Sequence, residues 1–504
     1  MPFVLQALPI LILPILLAVG YVTGMHIPNV YYPASPLLFK VRQRAGAPDI
    51  VSNEANSDAT HANGNGSQNH FPRKKVESMS IKTFLESRVP SLYKGYRPSW
   101  WLPSGHLQTF YVVSGDFTKT DQLLYERTLL RTPDGGTLGL DMTPTTEQNP
   151  DLPDDTPIVV VQHGLTGGSY ESYVRSILAH SCAPKSQGGL GYRGIVINFR
   201  GCANVPVTSW QFYSAGHTED LRCGLLFISH KFPKAPLIGL GFSLGANVMT
   251  RYLGEEKEWS RLQAGIVLAC PWDVVKNSIR LETEFIPKTL YAPALGGNLM
   301  ALIRGHVGTL QKLPPDDRLA PQMDNILSLK NPTLKQVDHA LTRFCGGSSP
   351  PFPFKSADEY YVWASSHRHV TSIRVPFLAI NAADDPIVGF SPTEETAHGQ
   401  TCALAVTPSG GHLGWFRGGS PIGSGGPPDR WVREPVLEFL RAAAEDYVPD
   451  SRYGPPKDGR DRVERDGFVL ERGKDLIGYK VVSTGQIIHG GESTPAHKLK
   501  TQGL

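Results

Sequence analysis

The chain has 504 residues, 40% of them hydrophobic and 19% charged, with a formal net charge of +3. That is enough apolar material for one large α/β domain with appendages, or for two domains. The near-neutral balance leaves no footprint for nucleic acid, and the six cysteines contain no C-x-x-C pair, which argues against zinc and dithiol sites. Cys182, Cys202, Cys223, Cys270, Cys345 and Cys402 stand far apart, several in apolar runs, and read as buried free thiols.

Residues 3–22 are almost wholly apolar, and about 20 such residues suffice to cross a bilayer core. Pro9 and Pro14 are tolerated in membrane helices. A signal peptide would carry a basic start and a small-residue cleavage site, and neither is clear here. A transmembrane anchor is therefore expected over 1–25. The first charges after it, Lys40, Arg42 and Arg44, favour a catalytic part on the cytosolic side, of the endoplasmic reticulum or a lipid droplet. Residues 45–80 are rich in Asn, Ser, Gly, Ala and His and close on Arg73-Lys74-Lys75. Such a composition buries too little to fold and reads as a disordered linker; Asn65-Gly66-Ser67 is a glycosylation site only in a lumenal setting.

Aromatic and proline residues crowd 93–117, including Tyr96, Trp100, Trp101, Phe110 and Tyr111. An irregular packing segment is the favoured reading, with a lipid-facing lip as the alternative. Apolar runs flanking Asp134-Gly135-Gly136 signal a hairpin. Ile158–Val161 reads as a strand buried on both faces and runs into Gln162-His163-Gly164-Leu165-Thr166-Gly167-Gly168-Ser169. Further strands are expected at 194–199, in the apolar run that follows Pro236 and leads into the Gly241 turn, and at 265–270, 375–381 and 402–407, with helical segments between them. This alternation implies an α/β fold, a mostly parallel sheet with helices on both faces. It breaks over 274–369, where an insertion would lie as a helical cap over the strand ends. Residues 433–447 read as a closing helix, which bounds the domain at 90–447. Residues 448–504 are charged and proline-rich, with one apolar patch at 476–482, and read as a tail.

Gly241-Phe242-Ser243-Leu244-Gly245 lies between an apolar strand and a helix, the context of a G-x-S-x-G nucleophile elbow. Glycines two residues either side of the serine fit a turn with no room for side chains. Serine needs a base within hydrogen-bond reach. His412, in the glycine-rich loop Pro408–Phe416 after the last strand, falls where the order Ser, Asp, His puts it. The acid that orients the imidazole is sought in Asn381-Ala-Ala-Asp384-Asp385-Pro386-Ile-Val388. Neighbouring side chains point apart, and the Asp-Pro-Ile-Val ending favours Asp385, with Asp384 as the alternative, a turn or cap carboxylate. An oxyanion needs preorganised N–H donors: the backbone of Leu244, and that of Leu165 or its neighbour Thr166. No metal-binding, P-loop or dinucleotide motif appears, so no metal and no cofactor is expected.

Gly105-His-Leu-Gln-Thr109, His163–Gly168, Asn198-Phe-Arg-Gly-Cys202, Gly241–Gly245, Ser356-Ala-Asp-Glu-Tyr-Tyr361, Asn381–Pro386 and Gly410-Gly-His-Leu-Gly414 occur in this order. Together they resemble the AB hydrolase superfamily, AB hydrolase 4 family, over about 97–447. That branch includes bacterial esterases, membrane-anchored acylglycerol or phospholipid hydrolases, and yeast enzymes that make medium-chain ethyl esters. The resemblance implies an α/β-hydrolase fold, a triad of Ser243, Asp385 and His412, and an anchored protein acting on lipid-like acyl esters. The long linker and the tail depart from compact members and leave targeting and partners open. An alcohol O-acyltransferase shares the acyl-enzyme and is the nearest alternative. A non-catalytic membrane receptor or scaffold on the same fold is the alternative of another class.

Overall fold

The computed structural model describes residues 24–44, 75–421, 426–454, 459 and 461–491. The expected anchor over 1–25 lies outside them except for its last two positions, and so does the linker over 45–74. Among the described residues no helix is long and apolar enough to cross a membrane.

Strands β1 (Asn29–Tyr31), β2 (Phe39–Arg42), β3 (Val76–Met79), β4 (Leu123–Arg131) and β5 (Thr137–Thr143) precede the central run. That run is β6 (Ile158–Gln162), β7 (Arg193–Asn198), β8 (Leu237–Phe242), β9 (Ala264–Leu268), β10 (Phe377–Ala382) and β11 (Cys402–Thr407). The short β12 (Phe416–Arg417), β13 (Asp429–Arg430) and β14 (Tyr447–Val448) follow, then β15 (Arg462–Arg465), β16 (Phe468–Glu471) and β17 (Lys474–Gly490). Among the described residues the main sheet has 12 strands in the order β1-β11-β10-β9-β8-β6-β7-β5-β4-β17-β16-β15. From β7 through β6, β8, β9 and β10 to β11 every pairing is parallel.

Alternation along β6 shows why its residues are apolar throughout. Val159 and Val161 pack with Val174 and Ile177 of the helix Ser172–Cys182 and with Val436 and Phe439 of the helix Arg433–Arg441. Ile158 and Val160 face the other way, onto Leu221 and Leu225 of Glu219–Lys231 and Val248 and Met249 of Leu244–Glu256. A strand covered on both faces has no polar side to show. The α/β-hydrolase arrangement expected from the sequence is the one observed.

Residues 274–369, between β9 and β10, carry no strand and are built mainly of helices, among them Val274–Thr283, Ala292–Leu310 and Ala357–Ala364. They have their own apolar cluster, in which Leu299, Met300 and Ile303 meet Ile326, Val337 and Leu341, and Val207 and Phe212 tie it to the body. Tyr360 and Asn247 fasten the cap from opposite sides: the Ala215 N–H donates to the Tyr360 hydroxyl at 2.9 Å, and Asn247 Nδ2 donates to the carbonyls of Ala215 and Ala364.

Three segments differ from the sequence reading. The last part of the linker is structured: Val76–Met79 pairs antiparallel with β2, and Ser80 caps the helix Ile81–Arg88. Residues before 90 belong to the hydrolase body, because β1 pairs with β11 and Phe39, Phe84 and Phe439 share one core. The tail is not a free appendage over 461–490. β17 pairs with β4 and covers its edge, burying Leu470, Ile477 and Tyr479, and Arg261 binds Asp461 and Glu471 across the junction. Its charges obscure the pattern because they line an exposed edge, where charge guards against unwanted pairing.

Candidate active site

Ser243 sits between β8 and the helix Leu244–Glu256 with φ 50° and ψ −119°, a strained backbone for a residue with a side chain. The turn is enforced by crowding. A Cβ on Gly245 would lie 2.4 Å from the Gln162 carbonyl oxygen, and one on Gly241 would lie 2.7 Å from Ala246 Cα. Neither neighbour can yield, so both glycines are obligatory and the serine hydroxyl is pushed out at the end of the sheet.

His412 Nε2 lies 2.8 Å from Ser243 Oγ, and its Nδ1 lies 2.8 Å from Oδ2 of Asp385. The carboxylate can only accept, which assigns the ring hydrogen to Nδ1 and leaves Nε2 as the acceptor for the serine hydroxyl. Asp385 is fully buried, and its second oxygen accepts from the N–H groups of Ile387 and Val388 at 2.8 and 2.9 Å. Arg280 from the cap donates to the Asp385 carbonyl at 2.8 Å. Asp384, the alternative, points elsewhere. It accepts from the Gly411 N–H at 3.0 Å and so braces the loop that carries the histidine. Burial pushes its carboxyl up to about 6.

The histidine loop has a second brace that spacing did not reveal. The N–H of His412 donates to Thr109 Oγ1 at 2.8 Å, and that hydroxyl donates in turn to the Gly105 carbonyl at 2.7 Å. The run Gly105–Thr109 resembled the family without having a role. The structure ties it to the backbone of the histidine loop.

The backbone N–H groups of Leu165 and Leu244 have no partner among the described residues. Thr166, the alternative, is spent: its N–H donates to the Tyr213 hydroxyl at 3.1 Å. On the other side of Leu165, the Gly164 N–H donates to the Tyr173 hydroxyl at 3.0 Å. Two phenols therefore clamp the loop and leave the intervening N–H free. Farther along, Ser169 is fixed by Asp141 at 2.5 Å and Asn198 at 3.0 Å. Asp141 is itself held by a bidentate Arg127, at 2.6 and 2.7 Å. His163 is no acid–base group. Its Nδ1 meets the Gly164 carbonyl, its Nε2 accepts from the Phe199 N–H, and burial lowers it to about 4, so it stays neutral.

Ser243 opens into a narrow cavity of about 100 Å³ that runs beneath the cap. Leu165, Leu244, Leu281, Leu295, Leu299 and Ile387 make its walls apolar, and Asp338, Thr342 and Tyr361 add one polar cluster. Tyr361 and Thr342 donate to Asp338 at 2.7 and 2.6 Å, and burial pushes that carboxyl up to about 6. Among the described residues no cluster of His, Cys, Asp and Glu could hold a metal ion. All six cysteines are free and buried.

The family defined by the alpha/beta hydrolase fold matches residues 157–296. Over 403 residues the chain is 32% identical to a Saccharomyces cerevisiae protein named monoacylglycerol lipase, covering 72% of this chain and 85% of that one. It is 29% identical over 448 residues to medium-chain fatty acid ethyl ester synthase/esterase 2 of the same yeast, covering 76% and 94%. It is also 27% identical over 353 residues to phospholipase ABHD3 of Mus musculus, covering 69% and 79%.

Proposed function

The chain belongs to the alpha/beta-hydrolase family, and from that premise we propose that it is a serine hydrolase cleaving carboxylic esters of lipid-like substrates, acylglycerols or short- to medium-chain acyl esters. The observation that carries this reading is the 2.8 Å contact between His412 Nε2 and Ser243 Oγ. Ser243 Oγ attacks the ester carbonyl as its proton passes to His412 Nε2. Asp385 holds the imidazole in its tautomer and balances the charge it gains. The oxyanion takes the N–H groups of Leu244 and Leu165, aided by the positive end of the helix that starts at Leu244. Collapse expels the alcohol, which takes the proton from His412. Water then enters by the same relay and releases the acid. The apolar cavity supports an acyl chain as the group beside the nucleophile.

A fluorophosphonate probe should label the wild type and not Ser243→Ala, and a panel of acyl esters should be cleaved by the first alone. A labelled Ser243→Ala chain would overturn the assignment of the nucleophile, and an unlabelled wild type would leave room for the non-catalytic scaffold. A second reading, transfer of the acyl group to an alcohol, is favoured by the narrow apolar cavity, which limits water, and by the yeast relative named as a synthase and esterase. Ester formation on adding ethanol separates the two. The apolar run at 3–22 supports attachment to the endoplasmic reticulum or a lipid droplet with the hydrolase body in the cytosol. Protection of that body from protease in sealed microsomes would refute the orientation.

A further inference from the structure

Large apolar side chains left singly in water need no explanation, but a linked group of them does. Trp100, Phe110, Phe285 and Leu290 are exposed by 59, 62, 82 and 54%, and direct contacts link their neighbourhoods. The described chain begins at Gly24. Exposed Met25 and Ile27 flank His26, whose backbone exchanges two hydrogen bonds with Tyr96, at 2.7 and 3.1 Å. Four positions on is Trp100. Its neighbour Trp101 packs edge-on against Tyr111 at 4.8 Å, beside Phe110. His106 is one turn back on the same helical face as Phe110. It stacks on Tyr291, with Nδ1 2.9 Å from that hydroxyl, and so brings in the cap segment carrying Phe285 and Leu290.

The same cap segment builds the cavity. The helix Val274–Thr283 lines it through Asn277, Ser278 and Leu281, while Ile279 of that helix is 56% exposed. Lys94, Arg97 and Lys288 are exposed among these apolar side chains, and the nearby Glu284 is paired with Arg280 at 2.9 Å. Mixed aromatic, aliphatic and cationic side chains suit a bilayer surface, where rings sit at headgroup depth and ammonium or guanidinium groups meet phosphates. The sequence adds a second pointer, because the apolar run 3–22 joins the described chain at Gly24, at one end of this face.

We propose that the face formed by Trp100, Phe110, Phe285 and Leu290 docks on a lipid bilayer and seats the Ser243 cavity at the surface from which the acyl ester is drawn. The proposal rests on the reading of the chain as a lipid-ester hydrolase. Its test uses the full-length protein with phosphatidylcholine vesicles containing a minor fraction of phosphatidylserine. Cysteine is introduced at Phe285→Cys and, as a control, at Val482→Cys, 51% exposed on β17. Each is labelled with a polarity-sensitive fluorophore, to which the six buried native thiols are closed. The label at 285 should shift to the blue on vesicle-bound protein and the label at 482 should not. In parallel, Phe285→Ser with Leu290→Ser should lower cleavage of a vesicle-borne acylglycerol about tenfold or more and leave cleavage of a soluble short-chain ester unchanged.

A water-like label at 285 on bound protein overturns the proposal. So does a blue shift that appears with rising protein concentration and no vesicles, which would mark a protein partner instead. Equal loss on both esters overturns it as well. If the wild type cleaves neither ester, the substrate reading fails while the fluorescence still decides the docking.

Discussion

The backbone N–H of His412 donates to the side chain of Thr109 across 303 positions of sequence, at 2.8 Å. This bond fixes the backbone of the residue whose imidazole meets Ser243, and the threonine is fully buried. Thr109→Val removes the acceptor, keeps the volume, and leaves a buried N–H unpaired at a cost of about 1–3 kcal/mol. The expected result is a fall in kcat of roughly tenfold or more with KM little changed. Thr109→Ser should restore most of it. An unaltered kcat for the valine variant would remove Thr109 from the positioning of His412.

Adjacent aspartates should separate cleanly on substitution. Asp385 faces the imidazole and two backbone N–H groups, whereas Asp384 faces the Gly411 N–H. Asp385→Asn offers Nδ1 no carboxylate and favours the wrong tautomer, so kcat should fall by roughly a thousandfold or more. Asp384→Asn keeps an oxygen for Gly411 and should fall by about tenfold at most. Initial rates on a soluble ester at neutral pH decide it, and the reverse order would move the acid to residue 384.

How much of this was legible in the sequence follows from which forces are local. The parallel strands were readable because both faces of each are buried, so their apolar runs are unbroken. The serine, the histidine and the pair of aspartates were readable because each sits in a turn whose glycines or prolines announce it. Thr109, Tyr173 and Tyr213 were not, since each reaches its partner through tertiary packing that no spacing encodes. The strands of the tail were missed for the opposite reason. β17 has its exposed positions in one long row, from Lys480 to Ile487, with no alternation to read. Within the aromatic run 93–117, Tyr96, Leu102 and Phe117 are core and Trp100 and Phe110 are exposed, and Gly105–Ser114 is a helix rather than irregular.

The phenol clamp on Leu165 gives a further expectation. Tyr213→Phe frees the Thr166 N–H and Tyr173→Phe frees that of Gly164, and each loosens the loop by one bond. Under the proposed oxyanion role of the Leu165 N–H, loss of its alignment costs most in the transition state, so kcat should drop by about tenfold in each single variant while KM holds. Because both bonds restrain the same N–H, the double variant should lose less than the product of the two effects. Strict additivity, measured as a double-mutant cycle on kcat/KM, would show that the two phenols act independently of Leu165.

Asp338 ties the cap to acid and base conditions. Burial raises its carboxyl from the ordinary 3.8 to about 6, with only the hydroxyls of Tyr361 and Thr342 to offset the loss of water. The folded state therefore holds this proton at pH values where the unfolded chain has released it. Stability from the site is complete below about 4 and is lost as pH rises through about 6. Asp338→Asn has no proton to lose and escapes this penalty. Its stability relative to wild type should improve across that window, by at most roughly 3 kcal/mol, and stay level above it. Thermal or denaturant unfolding of both chains at a series of pH values reads the difference. A difference that is flat from pH 4 to 7 would mean that the folded carboxyl titrates like the unfolded one, and one that worsens with rising pH would mean that a cationic partner holds it ionised in the folded cap.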